Sequence, residues 1–145
     1  FAVKCSNFVG EMLDYAVELK VDIVLVSNLG KMVKLAGGIM NTHSRNADAR
    51  MEILAANAAV AGADIGCVRR IMDCISTDDA LDVINEEDLI PKVSELLLEK
   101  IEYHMNHRTG GAIRTAAVMF SSVYGPLGRT SLADELLDEV RRESE

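Results

Sequence analysis

Between Asn28 and Glu52 the chain sets Lys31, Lys34, Arg45 and Arg50 against only Asp48 and Glu52. That segment carries +2 in a 145-residue chain whose total is −8, so the rest carries −10. Two chemistries fit such an island. Lysines and arginines can be the solvated faces of helices, or they can gather around a polyanionic small molecule, with arginine forking onto carboxylates and lysine acting as a point charge. Inside the island Asn41, Thr42, His43, Ser44 and Arg45 follow one another, five polar side chains in an otherwise apolar stretch. His43 has the right chemistry for an acid, a base or a hydrogen-bonding group near neutral pH. Asp48 and Glu52, four apart, are expected on one helix face. Arg45, three residues before Asp48, is spaced to pair with it.

Two further segments resemble each other. Ser6-Asn7-Phe8-Val9-Gly10 and Ser27-Asn28-Leu29-Gly30 each put a Ser-Asn pair before a helical pattern, with glycine in or near the first turn. Asn7 and Asn28 are either plain caps or groups that meet a ligand, and Gly30 lets a ligand approach the backbone. Neither segment has the spacing of a phosphate-binding Walker loop.

These residues need elements to hold them. Val21–Val26 is a β-branched run, apolar on both faces, as in a buried parallel strand. Helical spacing before it, over Asn7–Leu19, predicts a helix capped by Ser6 or Asn7, and Phe1–Cys5 reads as the second half of a strand. A short helix is expected to end at Gly37-Gly38, and Ser44 to cap an alanine-rich helix over Ala47–Ala61 that packs centrally. Asp64 and Thr77 are expected to cap two short helices. Pro91 opens a longer one with the stripe Val93, Leu97, Ile101 and Met105, closed by Gly110-Gly111. Thr115–Ser121 is a strand, Tyr124–Gly128 a loop, and Ser131 with Asp134 begins a final amphipathic helix. The fold class is therefore α/β: a partial, mostly parallel Rossmann-like sheet with strands near 1–5, 21–27 and 115–121, several packed helices, and missing strands upstream. Residues 1–145 form one domain of a longer chain. In such sheets ligands sit beyond the carboxyl ends of the strands, which selects the loops Cys5–Gly10, Ser27–Lys31 and Ser121–Gly128.

Composition narrows the function. With 49% hydrophobic residues and no low-complexity tract the chain is globular. A net charge of −8 argues against a nucleic-acid partner. The apolar stretch Ile53–Ile65 is too short, and too interrupted by Asn57 and Asp64, to span a membrane. Cys5, Cys67 and Cys74 have no metal-ligand spacing and read as structural thiols of a reducing cytoplasm. His104 and His107 lack a completing ligand set, so no metal site is expected. The ten acids of Asp73–Glu102 are expected to be solvated surface, or the acidic face by which a helical docking domain meets a partner.

The runs SNFVGEMLDYAVEL and VLVSNLGKMVKLAGGIMNTHSRNADARMEILAANAAVAGA together resemble the cobalt-precorrin-5B C-1-methyltransferases of the CbiD type, and weaker similarity continues to the C-terminus. The resemblance covers the later part of that family's sequence. It implies methyl transfer from S-adenosylmethionine, a co-substrate, to C-1 of cobalt-precorrin-5B, giving cobalt-precorrin-6A in anaerobic cobalamin biosynthesis. Cobalt arrives within the substrate. The macrocycle carries acetate and propionate arms, so the implied partner is an anionic tetrapyrrole; a homo-oligomer is compatible with it. On this resemblance Lys31, Lys34, Arg45 and Arg50 hold carboxylates, Asn7, Asn28, Gly30, Thr42 and Ser44 line the substrate site, His43 or Glu52 manages a proton or charge, and Asp48 orients Arg45 or His43. One departure is that Ser27-Asn28 stands where the family commonly has Gly-His, so no catalytic role passes to Asn28. The competing reading is a non-catalytic α/β module that binds another polyanion.

Overall fold

A computed structural model describes residues 2–144. Helix α1 (Val9–Leu19) leads into strand β1 (Ile23–Asn28), then α2 (Leu29–Ala36), α3 (Arg50–Ala61), α4 (Ile65–Met72), α5 (Thr77–Asn85) and α6 (Ile90–Thr109). Strands β2 (Thr115–Ser121) and β3 (Gly125–Arg129) and helix α7 (Ala133–Glu143) complete the described chain. The sheet order is β1-β2-β3. β1 and β2 are parallel, with Ile23 opposite Thr115 and Asn28 opposite Phe120, whereas β2 and β3 are antiparallel. The α/β class holds, with a small mixed sheet. No described helix is long and apolar enough to cross a membrane.

Alternation along the strands sorts the sheet's two faces. Leu25, Ala117 and Met119 face the main core, while Val24, Ala116 and Val118 meet Ala133 and Leu136 of α7. On the main side α6 is the central post. Its Val93, Leu97, Ile101 and Met105 are all buried, as the spacing predicts, and it touches α1, α2, α3, α5, β2 and β3. Asn28 caps α2 and Asp64 caps α4, each side chain accepting a backbone N–H three residues on.

Several expectations are corrected. Residues 2–5 lie outside any strand, and Phe1 lies outside the described residues. Neither Ser6 nor Asn7 caps α1, since the cap position is Phe8 without a side-chain bond; Ser6 stands at φ +50°. Ser44 does not cap the alanine-rich helix, which begins only at Arg50 and whose Val60 is 73% exposed, so one face is peripheral. Ser76, not Thr77, caps α5. No side chain caps α7, and Ser131 donates its hydroxyl to Glu102 on α6 instead. The supposed loop at Tyr124–Gly128 is mostly β3, an antiparallel edge strand in which Pro126 is tolerated because an edge residue can do without a ladder N–H.

Candidate functional site

The absence of a strand at 2–5 does not scatter the site, because two loops are drawn together by a short antiparallel zip. Gly10 N–H donates to Met40 O at 3.1 Å and Thr42 N–H to Asn7 O at 3.0 Å, with Phe8 bridged to Asn41 between them. The Thr42 hydroxyl adds a bond to Asn7 Oδ1 at 2.9 Å. Two lysines of α2 then fasten the loops from beneath. Lys31 Nζ donates to Ser6 O at 2.7 Å, and Lys34 Nζ to Thr42 O at 2.8 Å. Lys34 is only 3% exposed. A buried ammonium held by one neutral carbonyl fixes that carbonyl firmly, since a bond to a charged donor is stronger than one between neutral groups.

Loop 39–46 is anchored at its start as well. The α2 helix stops at the Gly37-Gly38 turn, where Gly38 has φ +79° and lies under the His104 ring, so close that a Cβ would come within 2.9 Å of it. Burial, followed by the charges of His107 and Lys100, holds the His104 imidazole below its ordinary value. The loop's tip is tied by its own side chains: Asn41 Oδ1 accepts from His43 N–H at 3.1 Å, and His43 Nδ1 from Arg45 N–H at 3.0 Å.

Between the zip and this tip lies a cavity of about 200 Å³ lined by Asn7, Phe8, Asn41, His43, Arg45 and Asn46. The structure thus brings together Asn7, His43 and Arg45 of the expected residues, with Thr42, Lys31 and Lys34 as supports. Phe8 and Asn46 were not singled out from the sequence, and Asn41 was noted there without a role. Asn41 opens the polar pentad; Phe8 and Asn46 carried no signal.

The remaining expected residues stand apart from the cavity wall. Asp48 precedes α3 rather than sharing a helix face with Glu52, and it pairs with Arg50, not Arg45, through two bonds of 2.8 and 3.0 Å. The Arg50 guanidinium holds the Asp48 carboxyl below its usual range and is itself raised. Glu52 is exposed on the first turn of α3, and Ser44 is exposed beside His43. Asn28 and Gly30 lie at the start of α2, where Gly30 faces Asn28 Oδ1 and Thr77 Oγ1. A second cavity, of about 320 Å³, runs between α6 and β3 and is acidic, with Glu95, Glu99 and Glu102 on one side and Arg129 on the other. No cluster of three or more metal-ligating side chains occurs among the described residues.

The family model of the CbiD C-terminal domain matches residues 41–131, which include most of this loop. A protein of Ruminiclostridium cellulolyticum named cobalt-precorrin-5B C(1)-methyltransferase is 43% identical over 99% of the chain and 39% of its own length. Proteins of the same name from Alkaliphilus metalliredigens and Clostridioides difficile are 39% and 32% identical over 97% and 95% of the chain, and over 37% and 35% of their own lengths. The chain therefore spans about two fifths of the length of these curated relatives. No solved structure matches. A polar, cation-supported cavity built largely within the matched segment is thus a feature of a chain that belongs to the CbiD family, over that family's C-terminal domain.

Proposed function

We propose that this chain is the later part of an S-adenosylmethionine-dependent enzyme that methylates C-1 of cobalt-precorrin-5B to give cobalt-precorrin-6A in anaerobic cobalamin biosynthesis, in the cytoplasm. The observation that carries this reading is family membership over most of the chain, and the cavity's electrostatics agree with an acidic macrocycle as substrate. The sheet's remaining strands belong, on this reading, to the part of the protein outside this chain. The whole of residues 1–145 acts as one domain.

The chain's own residues bind and orient. Arg45, with no side-chain partner among the described residues, offers its fork to a substrate carboxylate. Lys31 and Lys34 reach the same loops from below and add positive potential while holding Ser6 and Thr42 in place. Arg50, neutralised by Asp48, contributes more to shape than to charge. Asn28, Gly30, Thr42 and Ser44 complete the substrate side of the domain. Asp48 orients Arg50 rather than Arg45 or His43, and of the two candidates for handling a proton His43 has its Nδ1 committed to a backbone N–H, which leaves Glu52. The methyl donor is a sulfonium cation, and a cavity faced by Arg45 does not suit it.

The test is methyl transfer by the full-length protein, followed as the mass of the macrocycle. Wild type should convert cobalt-precorrin-5B with S-adenosylmethionine, and Lys31→Ala combined with Arg45→Ala should raise KM strongly. No product from wild type would sink the activity; unchanged turnover in the double variant would sink the site.

A further inference from the structure

We propose that the cavity between Asn7-Phe8 and the 41–46 loop is a carboxylate subsite that takes a single acetate- or propionate-length arm, with His43 serving as a hydrogen-bond donor. The proposal rests on the functional reading only for the identity of the molecule that carries the arm.

Three acceptor atoms of the wall, two amide oxygens and one imidazole nitrogen, already accept bonds from the protein. Asn7 Oδ1 accepts from the Thr42 hydroxyl at 2.9 Å and Asn41 Oδ1 from His43 N–H at 3.1 Å, so both amides keep their NH₂ groups for the cavity. His43 Nδ1 accepts from Arg45 N–H at 3.0 Å, which puts the ring proton on Nε2. Arg45 has donors only, and its guanidinium has no partner among the described residues. Asn46 adds an amide with no side-chain bond among the described residues, so its oxygen is an open acceptor beside its two donors. No carboxylate lines the space.

A wall with a guanidinium, an Nε2–H and three amide NH₂ groups favours a group that only accepts. An ionised carboxylate meets that condition; an adenine, amide or alcohol, each bringing donors of its own, does not. The wall holds one guanidinium, which matches a monoanion better than a phosphate dianion. Phe8, half exposed, gives the methylene of the arm an apolar surface. At about 200 Å³ the cavity is below the roughly 300–1,000 Å³ of pockets that enclose a whole drug-sized ligand, so it grips an arm while the macrocycle lies outside.

The donors of this wall also fix what His43 does. With its lone pair spent on the backbone, the ring meets the carboxylate through Nε2–H and takes no proton from substrate.

The experiment is a titration of the protein, labelled with nitrogen-15 in histidine and asparagine side chains, with propionate, and in parallel with propionamide and inorganic phosphate. Propionate should shift the His43 Nε2 and the Asn7 and Asn41 NH₂ resonances saturably, and propionamide should not. Arg45→Gln and His43→Ala should each weaken propionate roughly tenfold. His43→Gln, which keeps a donor at a similar reach, should retain binding within about threefold. Absence of a saturable propionate shift, equal binding of propionamide, phosphate bound in its place, or a free His43 ring protonated on Nδ1 would each overturn the subsite. Because no macrocycle or methyl donor is used, propionate binding without methyl transfer would count against the functional reading alone. Methyl transfer without propionate binding would count against the subsite alone.

Discussion

Arg114 and Arg45 are both guanidinium groups on an acidic chain, and their surroundings are opposite. Arg114 sits at the amino ends of β1 and β2, where it meets Asp22 at 2.7 Å, Glu139 at 2.8 Å and Glu135 at 3.7 Å. Its hydrogen bonds with Glu139 and Asp22 raise its own value further. It ties β1, β2 and α7 into one end of the sheet. Arg45 sits at the tip of a loop whose main chain is fixed by other groups, and it forms no ion pair among the described residues. Arg69 likewise forms no ion pair among the described residues, so what sets Arg45 apart is its place on the wall of a cavity. The pairing of Arg114 reads as architecture, and the freedom of Arg45 reads as capacity for a ligand.

That contrast can be broken at several points. The largest effect is expected at Lys34, the buried support of the Arg45 loop. Lys34→Ala removes the ammonium from Thr42 O and leaves a void, and should cost about 3 kcal/mol in urea unfolding. Lys34→Met, which fills the space, should recover part of that. Gly38→Ala comes next, because it forces a side chain to φ +79° beneath His104; about 2 kcal/mol is expected by the same measurement.

Arg114→Ala should show a smaller loss with a characteristic pH dependence. The Arg114 backbone N–H and guanidinium hold Asp22 below its ordinary value of 3.8. A lowered carboxyl stabilises the fold above that value, and the contribution disappears as pH falls through the folded-state value. The variant keeps the backbone N–H and loses only the guanidinium's share, so the gap between wild type and variant should be modest at neutral pH and close on acidification. A gap that persists in acid would mean that the pairing is not what Arg114 supplies. Last, Arg45→Ala should leave stability within about 0.5 kcal/mol of wild type. A loss as large as that at Arg114 would erase the distinction between the two arginines.

The parts legible in the sequence are those with a repeating apolar pattern. The α6 stripe and the Asn28 and Asp64 caps follow from spacing and local chemistry alone. The β1 run, by contrast, gave a strand that is shifted to Ile23–Asn28 and buried only at Leu25, with Val21 and Val26 exposed. β3 was not legible, because Gly125, Pro126 and Gly128 have no strand pattern and only pairing with β2 extends them. The start of α3 was misplaced because Asp48 turns locally onto Arg50 just before the helix, and Ser44 makes no capping bond. In the site, residue types pointed to the right loop, and His43 and Arg45 belong to one cavity. Which nitrogen of His43 is free, and which arginine lacks an acid, depended on backbone bonds that no periodicity encodes.

The parallel pairing of β1 with β2 has a consequence for how the chain is made. Five helices are threaded between these neighbours, and among the described strands β1 pairs with β2 alone. During synthesis β1 therefore emerges long before its neighbour, and its hydrogen-bonding edge stays open until α6 has left the ribosome. Such long-range closure is slow. Until it occurs, an unpaired apolar strand is the segment most exposed to joining the wrong molecule.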